Sequence, residues 1–125
     1  MDKVSQWNTY WLKNYKELAP NAPTGADQVL VVSNDLVNHT FSSSTVIPMY
    51  KTDKTPQLYP TQILYECNRR GNYDVGFTDD RYILMVHLLT TIEHEKLNTT
   101  RETGHLHDRR LKEQVRQAMR DYLGV

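Results

Sequence analysis

Apolar positions in this chain fall into two kinds of pattern. Val4, Trp7, Trp11, Tyr15 and Leu18 recur at steps of three and four, with Lys3, Asn8, Lys13 and Lys16 between them. That spacing predicts an amphipathic helix over residues 1–19, ended by Pro20 and Pro23. Residues 20–27, rich in Pro, Asn and Gly, read as a linker. From Val29 the pattern changes. Val29–Val32 is a continuous run of aliphatic residues, which suits a strand buried on both faces. Asn34-Asp35 and the polar run Asn38–Ser44 then read as a hairpin connection, with Val46–Tyr50 as the return strand. Pro48 places that strand at an edge or a bulge.

Further strands are expected at Tyr59–Tyr65, Tyr82–Leu88 and, shorter, within Thr90–Leu97, with an exposed turn at Asn68–Tyr73. A last helix follows, with Asp108 as N-cap, Leu111, Val115, Ala118, Met119 and Tyr122 on one face, and Gly124 as its stop. Strands first and a packing helix last predict an α+β, mainly β fold. The expected architecture is an SH3-like twisted antiparallel sheet or partial barrel, with a C-terminal helix and an added N-terminal amphipathic helix. The 125 residues are read as one domain, its core spanning 28–125.

Charge narrows the choices. Fifteen basic residues balance fifteen acidic ones, so no bulk field draws the chain to nucleic acid or to an anionic membrane. Locally, Arg101, Arg109, Arg110, Lys112, Arg116 and Arg120 crowd the last quarter. They read first as a solvated helix face interrupted by Glu102, Asp108, Glu113 and Asp121, and second as an RNA-binding patch. One cysteine, Cys67, excludes an intrachain disulfide and a multi-cysteine zinc site, and fits a reducing compartment. No signal-like stretch follows Met1, and no apolar run approaches the ~20 residues of a membrane helix. The expected location is therefore cytoplasmic, with no membrane partner. His105-Leu106-His107-Asp108 with His94 has the wrong spacing for a zinc site, and no metal or other cofactor is expected.

Four segments in order carry a resemblance. Val29–Asn38, Pro60-Thr61, Thr91-Ile92-Glu93 with Leu97, and Gly104-His105-Leu106 leading to a Leu-Gly ending resemble the MazF/PemK family of toxin–antitoxin ribonucleases. The likeness covers about four-fifths of the chain, from Gly25 onward. It implies metal-independent endoribonuclease action on single-stranded RNA, a homodimer, and a cognate antitoxin that lays an acidic segment across the RNA groove. The family's catalytic Arg, usually in Arg-Pro, falls here on Asp27, with Gln28 in place of the Pro. Its catalytic Thr falls on Lys51, with Thr52 beside it, and an acidic residue used by some members falls on His87. The resemblance thus implies Lys51, Thr52 and His87 as catalytic residues and Asp27, Gln28, Lys54, Arg69 and Arg70 as RNA contacts.

Attack by a 2′-hydroxyl needs a base, an acid and a cation facing the phosphorane. Lys51 is the candidate cation, and His87, whose imidazole is the side-chain type suited to proton transfer, is the candidate acid or base. Because an acidic Asp27 replaces the guanidinium, the alternative is a catalytically degenerate protein, or one acting by protein contact. The sister CcdB family is echoed at Val46-Ile47-Pro48 and Leu58-Tyr59-Pro60, though its C-terminal Trp-Gly-Ile is Leu123-Gly124-Val125 here.

Overall fold

The computed structural model describes residues 4–13, 28–51, 58–66, 81–100 and 104–125. The strands are β1 (Asn8–Leu12), β2 (Gln28–Val31), β3 (Ser43–Lys51), β4 (Gln62–Glu66), β5 (Arg81–Met85), β6 (Thr90–Glu93), β7 (Leu97–Asn98) and β8 (Gly104–His105). The helices are α1 (Asp35–Thr40) and α2 (Arg109–Leu123). All pairings are antiparallel, in the order β4-β5-β3-β2-β1-β7, with β6 also on β3 and β8 also on β1. The sheet is a curled half-barrel and the fold is α+β, mainly β.

Both faces of the central strands are covered. Along β2 and its continuation, Leu30 and Val32 join the core beneath α2 with Ile47, Met49, Leu84, Leu111 and Val115. Val29 and Val31 point the other way, to Val4, Tyr10, Val46, Ile92 and Leu97. Two-sided burial explains why this strand reads as an unbroken apolar run rather than an alternation. α2 is defined locally. The Asp108 carboxylate accepts from the N–H groups of Arg110 and Leu111, and Gly124 closes the helix in the left-handed region at φ 76°. Leu111, Val115 and Ala118 are its buried face, while Tyr122 is half exposed.

Four expectations need correction. The amphipathic helix over 1–19 does not form where the chain is described, because residues 8–12 are the strand β1, and 14–19 and the linker 20–27 lie outside the described residues. β1 sits between β2 and β7/β8, so Thr9, Tyr10 and Trp11 are buried in succession and an accidental three–four spacing survives. The Asn34–Ser44 connection contains a six-residue helix, α1, with the Asn34 side chain capping the Val37 N–H. Asn is favoured at turns and at N-caps alike, so the sequence signal was ambiguous.

Pro48 lies inside β3, buried, rather than at an edge. It falls where β3 exchanges partners, after Val46 on β6 and before Met49 on β5, so its missing N–H disturbs no ladder on that side. The strand expected over Tyr82–Leu88 ends at Met85, and Val86–Leu88 is a 3-10 turn.

Candidate functional site

Register brings two of the predicted residues, Gln28 and Lys51, to one end of the sheet. Gln28 opens β2 opposite Met49 and Trp11, Lys51 closes β3 opposite Tyr82, and Arg81 opens β5 opposite Glu66. The chain leaves this end as residues 14–27, 52–57 and 67–80. Asp27 therefore adjoins Gln28, Thr52 adjoins Lys51, and Arg69 and Arg70 follow shortly after β4. Asp27, Thr52, Lys54, Arg69 and Arg70 themselves lie outside the described residues.

The floor of this end is polar and buried. Gln28 is 2% exposed, and its Nε2 donates to the Tyr82 hydroxyl at 3.2 Å, 1% of Tyr82 being exposed. The structure thus gives Gln28 a bracing place beneath the rim instead of an exposed one. Lys51 is exposed at the end of β3, and Arg81 is half-buried. Two cations on neighbouring strands at one edge suit a phosphate, with a guanidinium offering a forked pair of donors.

His87 is not part of this group. Lys51 pairs with Tyr82 near the start of β5, whereas His87 lies in the 3-10 turn past the far end of that strand. At about 3.3 Å per strand residue the separation is on the order of 15 Å. The turn packs against α2, and Nδ1 of His87 is buried with no hydrogen-bond partner among the described residues. The run Tyr82–Leu89, apolar but for His87, carries no Gly or Pro that would have announced the break.

Sequence reasoning also missed a hydrogen-bonded chain at that opposite end. The Asn38 amide nitrogen faces the Ser33 carbonyl at 2.7 Å and the Asp35 carboxylate at 3.3 Å. Its oxygen therefore accepts from the Ser33 and Ser44 hydroxyls. With its one proton committed, Ser44 receives the N–H of His94 Nε2 across 2.6 Å. Ser44 is 1% exposed, so this pair is a strut between β3 and the turn after β6 and not a nucleophile with its base.

Burial lowers the His94 pKa, opposed by a hydrogen bond to the Ser43 backbone. His105, whose Nδ1 meets Asn8 Oδ1, is likewise lowered by burial and then by the positive charges of His107 and Lys112. Asp35 is lowered chiefly by the N–H of Gln6, which it accepts at 2.7 Å. A cleft of about 810 Å³ runs along this side past Phe41, His94 and Leu97, and among the described residues none of Gln28, Lys51 and His87 lines it. Among the described residues no cluster of three or more His, Cys, Asp or Glu side chains is placed to hold a metal.

A curled antiparallel half-barrel followed by one C-terminal helix is the architecture of a class of small toxins. Residues 10–123 match the family of PemK-like, MazF-like toxins of type II toxin–antitoxin systems, and the chain belongs to that family. An endoribonuclease from a mycobacterial species, solved in complex with its cognate antitoxin, superposes with a TM-score of 0.64 at 17% identity, over 98% of this chain and 96% of that one. MazF from Deinococcus radiodurans gives 0.64 at 15% identity over the whole of both chains. Mycobacterium tuberculosis toxin MazF-mt6 gives 0.58 at 16% identity, over 78% of this chain and 86% of that one. A comparison with curated proteins finds no match to this sequence. At such identities the superpositions establish the fold, and among the described residues no helix is long and apolar enough to cross a membrane.

Proposed function

We propose that this toxin is an endoribonuclease that cuts single-stranded RNA without a metal, at the end of the sheet where β3 and β5 present Lys51 and Arg81 above the buried Gln28. The observation that carries the reading is the register, which sets Lys51 and Arg81 on adjoining strands. The same end emits the segments holding Asp27, Thr52, Lys54, Arg69 and Arg70. Lys51 faces the charge that builds on the phosphate as the 2′-hydroxyl attacks, and Thr52 orients a phosphate oxygen. A preorganised cation or donor at that point is worth ~3–4 kcal/mol of barrier. Arg81 supplies the guanidinium that Asp27 does not, and the Gln28–Tyr82 bond holds β2 and β5 in place beneath them.

The single domain acts in the cytoplasm as a homodimer and is neutralised by a cognate antitoxin. Structural relatives described as an endoribonuclease with its cognate antitoxin and as MazE–MazF support the partner. The test is incubation of purified protein with a long mixed-sequence RNA in EDTA, followed by mapping of the new ends. Discrete fragments from the wild type, lost in Lys51→Ala, are expected. Intact RNA with the wild type would reject the reading.

One observation favours a second reading, a protein that poisons a target by contact. The C-terminus exposes Tyr122, Leu123 and Val125, the last by 88%. Growth arrest on expression with cellular RNA left intact, relieved by deleting those residues, would select it.

A further inference from the structure

The outer face of α2 carries a row of basic residues. Arg109, Lys112, Arg116 and Arg120 follow one another at steps of three and four, so they form a single cationic stripe, with about 5.4 Å of rise per turn. The stripe is turned away from Leu111, Val115 and Ala118, and Arg110 stands beside it. Two of its members are held in place from beneath. The Lys112 ammonium lies 5.7 Å and the Arg116 guanidinium 5.3 Å from the centre of the Trp7 ring, which is 7% exposed. A cation fixed over a buried indole loses less side-chain freedom on meeting an anion than one waving in water.

Among the described residues the ion pairs of this helix all go to Glu113, at 3.3 Å from Arg116 and 3.6 Å from Arg120, and all three side chains are about half exposed. Exposed pairs of this kind are weak enough for a stronger anion to displace. A shallow depression of about 540 Å³ lies among Arg109, Arg110, Lys112, Glu113 and Arg116.

We propose that this stripe is a second RNA-binding surface, which holds the sugar–phosphate backbone of single-stranded RNA without reading its bases. A row of cations one helical turn apart matches a chain of regularly repeated phosphates, whereas an acidic polypeptide carries its charges on side chains without that regularity. The surface lies apart from the cutting end of the sheet. α2 begins next to β8, which pairs with the start of β1, while Gln28 and Lys51 are at the other end of their strands. It therefore anchors a long RNA beyond the cut and does nothing for a short one. Glu113 sits in the stripe as a built-in competitor for the phosphate.

The inference rests on the RNA-handling reading above, and its test is separated from cleavage by using 2′-O-methyl RNA, which lacks the attacking hydroxyl. Binding of a labelled single-stranded 2′-O-methyl oligonucleotide of about twenty residues is followed by fluorescence anisotropy across a salt series. Each phosphate contact contributes about 0.7 to the slope of log affinity against log salt. Replacing Arg109, Arg116 and Arg120 together by Gln lowers that slope by about two and the affinity at ~0.1 M salt by tenfold or more. Glu113→Gln raises affinity a few fold. Thermal melts confirm that the variants are folded, all four positions being exposed.

A triple variant with unchanged affinity and slope overturns the inference. So does a triple variant that loses only its binding to polyglutamate, which would assign the stripe to an acidic polypeptide. A wild type that holds 2′-O-methyl RNA through α2 yet leaves ordinary RNA uncut refutes the nuclease and leaves this surface standing.

Discussion

The two ends of the sheet are built on opposite terms. At one, Gln28, Lys51 and Arg81 stand where the strands begin or stop, over a buried polar contact between Gln28 and Tyr82. At the other, Trp7, Leu106, α2 and the 3-10 turn 86–88 close the core, and the Asn38–Ser44–His94 chain locks α1 to β3. The sealed end supplies rigidity to the sheet whose other end carries the exposed Lys51. Trp7 shows how firmly the first is fixed. It holds a left-handed φ of 68°, which a large side chain adopts only when its surroundings impose it. Its N–H reaches the Val31 carbonyl at 2.7 Å, and its own carbonyl takes the Leu106 N–H at 2.8 Å.

The largest effect is therefore expected at the sealed end. Trp7→Ala empties a site between β1 and α2 and removes the ring beneath Lys112 and Arg116, costing about 3–5 kcal/mol by chemical denaturation. A loss below about 1 kcal/mol would mean that Trp7 does not hold this end together.

Lys51→Ala at the open end should do the reverse. Cleavage falls by about tenfold or more while the melting temperature holds, because an exposed strand end contributes little packing. His87→Ala is the contrasting variant, shifting stability and leaving the rate per folded molecule alone. A matching rate loss in His87→Ala would place the ring in the reaction despite its distance from Lys51.

That contrast marks what sequence could and could not carry. β2, β3 and α2 were legible because each has a local signature: an unbroken aliphatic run, a return run, and a helix with both caps written into it. β1 was not, because a strand buried on both faces by distant partners has no alternation to display, and its three–four spacing imitated a helix. Thr9, Tyr10 and Trp11 were nonetheless strand-formers, and weighing propensity against period would have found it. His87 was misplaced for a different reason: the 3-10 turn joins two strands that both run antiparallel to β3, and no Gly or Pro marks it in the sequence. At the site, Gln28 looked like an exposed contact because its partner Tyr82 lies far away in sequence.

Tyr82→Phe sharpens the comparison from beneath the open end. It leaves the buried Gln28 amide without its acceptor, which costs about 1–3 kcal/mol. Pairing it with Gln28→Leu, which removes the stranded amide, should recover most of that loss. A double variant no more stable than Tyr82→Phe would show that the hydrogen bond is not the source.

The smallest effect separates the two ends by pH. His94 and His105, both at the sealed end, have pKa values held below the ordinary histidine value, mainly by burial. The folded chain therefore binds fewer protons than the unfolded one between those lowered values and about 6.5, the unfolded value. Their contribution is complete above about pH 6.5 and is lost as pH falls through that window, so acid loosens the sealed end first. Asp35, lowered by the Gln6 N–H, acts in the same direction further down: its contribution is present above about 3.8 and lost below it. Melting temperatures taken between pH 7.5 and 5.5 should decline, and the decline should shrink in His94→Asn and shrink further when His105→Asn is added. The gradient in the double variant is the deciding measurement. If it equals that of the wild type, the acid-sensitive groups lie elsewhere, and the assignment of acid sensitivity to His94 and His105 at the sealed end fails.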